Sequence, residues 1–171
     1  MNNKKVVIIT GAAGGIGRET AFKFASEGYA LALLDINQEA LLAVKQEISL
    51  QTSSDVLALE GDLADLDFVK SCVDKTVEKW GRIDAIVNNA AWRTVQSMRT
   101  MSIEDWDRTL RICLTVPAFL TKWGAEIMES NGTGGVIVNI SSMMSDRPSG
   151  VASGYIAAKG GMESLTKELA V

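Results

Sequence analysis

Short apolar runs and segments of helical period alternate along this chain. Residues 4–10 (KKVVIIT) are a β-branched run, and residues 15–28 (GIGRETAFKFASEG) have helical spacing and close on Gly28. The pattern repeats. A strand is expected over 29–35 with a helix over 37–51, a strand over 55–62 with a helix over 66–81, and a strand over 83–90. One long helix is expected over 102–130, opened by Ser102. A fifth strand over 135–142 and a last helix from 153 to 171 complete the series. Nearly continuous apolar strands alternating with helices predict an α/β fold, a doubly wound parallel sheet with helices on both faces. Right-handed crossovers then place a ligand crevice at the carboxyl ends of the strands. The 171 residues suit a single domain, here 1–171.

Composition narrows the function. A net charge of -4 argues against a nucleic-acid surface. The chain has no histidine, which removes imidazole bases, Ser-His-Asp triads and imidazole metal ligands together, so no metal is expected. No apolar run approaches the roughly 18 residues of a membrane span. Cys72 and Cys113 suggest no disulfide framework, and a reducing, cytoplasmic setting is the simple reading.

The first strand runs through TGAAGGIG, residues 10–17, into a helix. Glycines there let the backbone turn tightly and let a diphosphate approach the free N–H groups of the helix N-terminus. A plain tight turn would also use them. Asp35 ends the second strand 18 residues after Gly17, near the place where dinucleotide folds set an acid on the adenosine ribose. A carboxylate accepts from both ribose hydroxyls and repels a 2′-phosphate, and no basic residue follows it at once. NAD is therefore expected rather than NADP, although Asp35 could also serve as a helix cap or as a turn residue at the strand end. Tyr155 and Lys159, in YIAAK, lie four apart on a helix and share a face. A lysine there favours the phenolate, which suits a general acid or base near neutral pH.

TGAAGGIG, GDLAD, NNAA, NISS and YIAAK occur in the order and spacing of the short-chain dehydrogenase/reductases, and the chain resembles that family from Val6 to Val171. The resemblance implies a Rossmann-like fold and an NAD-dependent oxidoreductase. Hydride would pass between NAD(H) and a secondary alcohol or ketone. Gly11, Ala13, Gly14, Gly15, Ile16 and Gly17 would line the cofactor diphosphate. Asp62 and Leu63 would flank the adenine, and Asn89 and Ala90 would line the cofactor after the fourth strand. Ala91 stands where the family usually has glycine. Ser142, Tyr155 and Lys159 match the catalytic set, with Lys159 also holding the nicotinamide ribose. The family forms homo-oligomers, often tetramers, and Leu114, Phe119, Leu120, Trp123 and Ile127 on the long helix exceed what one sheet face obviously needs.

Two further departures qualify the resemblance. Cys113 stands where the family has a catalytic asparagine, and a thiol is a weaker donor and acceptor than an amide. Pro117 has no N–H for the Cys113 carbonyl, so the helix is expected to kink and that carbonyl, which in the family helps to hold a proton-relaying water, to stay free. The last helix lacks a stop signal, and the family's further strands and substrate loop are expected beyond it. Trp92, Arg93, Met143, Met144, Asp146, Arg147 and Pro148 are expected on the substrate side, with Arg93 or Arg147 able to meet an anionic substrate. The alternative function is an NAD-binding sensor or interaction subunit with little catalysis.

Overall fold

A computed structural model describes residues 4–132, 134–147 and 149–171. Strands β1 (Val6–Thr10), β2 (Ala30–Asp35), β3 (Val56–Glu60), β4 (Ala85–Asn88) and β5 (Val136–Asn139) form one sheet in the order β3-β2-β1-β4-β5. Every pairing is parallel. The order reverses direction at β1, where the connection from β3 crosses over to β4. Such a switch point opens a crevice at the carboxyl ends of the strands.

The sheet is covered on both faces. Val7, Ile9, Leu31, Leu33 and Val87 pack with α1 (Gly15–Ser26) and α2 (Gln38–Gln51). Ile8, Ala32, Leu34 and Ile86 point the other way, onto α3 (Leu66–Trp80) and α5 (Val116–Ser130). Successive side chains of a strand alternate between faces, so strands buried on both sides are apolar throughout. β5 is an edge strand, with Val136 and Val138 exposed on one side.

Polar caps set the helix starts. Asn37 accepts the Ala40 N–H, Asp65 accepts those of Asp67 and Phe68, and Ser102 accepts that of Asp105. The expected long helix is not continuous. It divides into α4 (Ile103–Leu110), a π-helical turn (Arg111–Thr115) and α5. Proline at 117 cannot donate, and the Val116 N–H bonds the Arg111 carbonyl, five residues back. Helix α6 (Ser153–Glu168) packs on α4 and the π turn.

The apolar excess on the long helix largely dissolves. Leu120 is fully buried, Trp123 and Ile127 pack against the core, and Leu114 joins a smaller cluster with Ile112, Cys113 and Ala158. Only Phe119 of the five stays exposed. The core took these side chains because α5 faces both the sheet and α3. Among the described residues, no helix is long and apolar enough to cross a membrane.

Candidate active site

The turn between β1 and α1 is held from below by the exit of β4. Thr10 Oγ1 accepts the Asn89 and Ala90 N–H groups, each at 3.0 Å. The Asn89 side-chain amide donates to the Thr10 and Gly11 carbonyls at 3.0 and 3.1 Å. That packing explains two of the glycines. Gly11 has φ +64°, and a Cβ on it would lie 2.9 Å from Ala90 Cα; a Cβ on Gly17 would lie 2.1 Å from the Gly11 carbonyl oxygen. The result is a backbone cradle at the start of α1, fit for a diphosphate. Asn89, expected to line the cofactor, spends its side-chain donor on the cradle itself. Ala13, Gly14, Gly15 and Ile16 form the rim, with Ile16 exposed.

Asp35 reaches the same turn. Its carboxylate accepts the Ala13 N–H at 2.9 Å and the Asn37 N–H at 3.0 Å, while Asn37 is the residue that caps α2. Asp35 thus braces the turn from the end of β2 and is not that helix's cap. Beside it opens a cavity of about 140 Å³, lined in part by Asp35, Ile36, Asp62, Leu63, Trp92 and Arg108. Its size and walls suit one flat heterocycle, so these residues fit the adenosine end of a dinucleotide. Burial pushes the Asp62 carboxyl up, but the Ala64 N–H and the Arg108 guanidinium outweigh it and hold the group below the usual carboxylate range. Arg108 donates to Asp62 at 2.9 Å and lies 4.6 Å over the Trp92 ring. The sequence reading missed Arg108, which stands 46 residues from Asp62 and meets it only in the fold.

At the other end of the crevice, α6 presents Tyr155 half-buried and Lys159 only 1% exposed. The Lys159 ammonium donates to the Ile140 carbonyl at 2.5 Å and lies 5.7 Å from the Tyr155 ring centre. Among the described residues no carboxylate pairs with it. Burial therefore holds its pKa below the ordinary lysine value. Ile140 is two residues before Ser142, so Lys159 ties the helix of Tyr155 to the loop carrying the serine. Ser142 Oγ accepts the Met144 N–H at 3.2 Å and keeps its own proton to donate.

Cys113, fully buried, does more than fill space. Its Sγ accepts the Trp92 N–H at 3.3 Å, and the thiol faces the Trp92 carbonyl at 3.4 Å. It thereby fastens the loop after β4 to the π turn. Burial raises the thiol pKa, which keeps it protonated and unreactive. Val116 is drawn back to Arg111 and Pro117 has no donor, so Ile112 and Cys113 both lose their ordinary α-helical partners. On the substrate side, Arg93 lies 5.9 Å from the Tyr155 ring, and Met143 is exposed. Pro148 lies outside the described residues.

The model of the short chain dehydrogenase family matches residues 5–171, and the chain belongs to that family. It is 38% identical over 167 residues to an uncharacterized oxidoreductase of Thermotoga maritima, covering 98% of this chain and 64% of that protein. It is 34% identical over 163 residues to a sorbitol dehydrogenase of Cereibacter sphaeroides, covering 95% and 62%. The crystal structure of a metagenomic short-chain oxidoreductase in complex with NADP superposes with a TM-score of 0.91 at 30% identity, covering 96% of this chain and 74% of that one. The chain thus spans less than two thirds of the length of these two curated relatives.

Proposed function

We propose that this chain carries the cofactor and proton-transfer residues of an NAD-dependent oxidoreductase that interconverts a secondary alcohol and a ketone. The observation that carries the reading is Lys159, a fully buried ammonium that has, among the described residues, one carbonyl partner for three donors. A buried charge without a counter-ion is costly, and a structural role would be served as well by methionine. Placed one turn after Tyr155 at the carboxyl end of the sheet, it has donors left for ribose hydroxyls. When bound, the nicotinamide supplies or accepts the hydride. Tyr155 Oη gives a proton to the developing alkoxide of a ketone, or takes one from an alcohol. Ser142 Oγ donates to the same substrate oxygen and holds it in place. The glycine cradle, Asp35 and the cavity at Asp62 would hold the remainder of the dinucleotide.

The choice of NAD rests on Asp35, whose negative charge at the ribose end of the cavity opposes a 2′-phosphate. Asp35→Ala is expected to weaken NAD roughly ten- to a hundred-fold and to relax discrimination against NADP, as hydrogen bonds to a charged group are worth about 1.5–3 kcal/mol. Calorimetric titration of both cofactors checks this, and a parent protein that already prefers NADP would refute the role given to Asp35.

The π turn supplies a further test. We infer that the main-chain carbonyl at Cys113, and not the side chain, serves a proton relay to Lys159. The thiol already fastens the loop after β4 through its contacts with the Trp92 backbone, so Cys113→Asn is expected to change kcat little. Pro117→Ala restores a donor to the helix and is expected to slow turnover about tenfold, a part of what general acid–base help supplies. A large gain in kcat from Cys113→Asn with no loss from Pro117→Ala would reverse the inference.

A further inference from the structure

We propose that Glu163 is a positioning residue for Ser142, a reading that rests on the catalytic role proposed for that serine. Tyr155, Lys159 and Glu163 stand four apart on α6 and so share one face. Lys159 holds the loop after β5 at the Ile140 carbonyl. One turn further, Glu163 Oε1 accepts from Ser141 Oγ at 2.5 Å and from Ser145 Oγ at 2.6 Å. These contacts bracket Ser142. Among the described residues, the one hydrogen bond to Ser142 Oγ comes from Met144, within the same loop. The distance of that hydroxyl from the helix of Tyr155 is therefore set by its neighbours.

The contacts also fix the short 3₁₀ turn (Met143–Ser145) that orients Ser142. Ser145 Oγ lies 2.6 Å from both the Ser142 carbonyl and the Glu163 carboxylate, and it has one proton to give. A bond to a charged acceptor is roughly twice as strong as a neutral one, so the carboxylate draws that proton. The Ser141 and Ser145 hydroxyls in turn hold the Glu163 carboxyl below its ordinary range, with a smaller contribution from Lys167 on the same helix. Without Glu163, the side-chain ties from α6 to this segment reduce, among the described residues, to Lys159 at the Ile140 carbonyl and Thr166 at Asn139, both before Ser141, and the turn bearing Ser142 has more room to move. A displacement of about 1 Å is enough to cost as much as a hundredfold in rate.

The test compares Glu163→Ala with Glu163→Gln in the full-length chain. Glutamine keeps the accepting Oε1; alanine does not. Hydrogen–deuterium exchange over residues 141–147 is measured alongside turnover with NAD and sorbitol, galactose or cyclohexanol as probes. Glu163→Ala is expected to speed exchange at Met144, Ser145 and Asp146, to leave α6 protected, and to lower kcat about ten- to a hundred-fold at unchanged KM for NAD. Glu163→Gln is expected to restore both readouts to within a few-fold. Unchanged exchange in the alanine variant, unchanged kcat beside faster exchange, or a glutamine variant as impaired as alanine overturns the proposal. If the parent oxidises none of the probes, the proposed activity is what loses support, and the exchange comparison still decides the role of Glu163.

Discussion

Tyr155→Phe is expected to lower turnover about 10²–10⁴-fold while NAD affinity stays within a few-fold, the range that general acid–base catalysis supplies. The substitution removes one oxygen and keeps the ring. The ring packs against the cluster of Ile112, Cys113 and Ala158, and Arg93 and Lys159 lie 5.9 and 5.7 Å from its centre. Neither the packing nor those charge contacts need the hydroxyl, so folding should be preserved. Single-turnover hydride transfer, followed by the absorbance of the reduced nicotinamide, separates chemistry from binding, and calorimetry supplies the affinity. Turnover that survives in the phenylalanine variant would remove Tyr155 from the mechanism. Tight NAD binding by the parent with no hydride transfer to any alcohol or ketone would instead favour a sensor or interaction subunit.

Lys159→Met is expected to lower kcat at least a hundredfold, on the order of general acid–base help, and to leave thermal stability equal or higher. Two effects oppose one another. Removing the ammonium leaves the Ile140 carbonyl without that donor, at about 1–3 kcal/mol for an unsatisfied buried group. It also relieves the burial of an unpaired charge, which costs several kcal/mol even after relaxation. The second term is the larger, and methionine fills nearly the same volume. The pH dependence carries a sign. Burial lowers the folded-state pKa of Lys159 below the unfolded value. The penalty is then full below the folded pKa and fades as pH rises from it towards the unfolded value, because the unfolded chain binds more protons in that window. The stability advantage of the methionine variant should accordingly narrow on the alkaline side. Melting curves across pH check this, and a variant markedly less stable than the parent at neutral pH would show that Lys159 is a structural residue.

Much of the fold is legible in the chain because the central strands β1, β2 and β4 are buried on both faces. Such strands are apolar throughout, and they stand out against helices that show a polar side to water. Boundaries were less legible. β3 ends at Glu60 and β4 at Asn88, two residues short of the expected ends, because the following residues leave the ladder to form the crevice. The expected long helix shows what local pattern can and cannot say. Pro117 announced a disturbance at Cys113, since a missing N–H is a property of the residue itself. That the disturbance would be a π turn, with Val116 bonded to Arg111, depends on how α5 must sit against the sheet and α3.

The site divides in the same way. The cradle, Asp35 at the end of β2, and the four-residue step from Tyr155 to Lys159 are set by short-range spacing, which the sequence determines by itself. Tertiary structure alone decided what each residue faces. It turned the Asn89 amide onto the Thr10 and Gly11 carbonyls, brought Arg108 of α4 to Asp62, and set the Cys113 thiol on the Trp92 backbone. It also left Lys159 buried against the Ile140 carbonyl and put Glu163 against two serines. The reason is physical. Backbone conformation and periodicity are local and can be read from neighbours in sequence, whereas desolvation and hydrogen-bond partnership depend on groups brought together from distant parts of the chain.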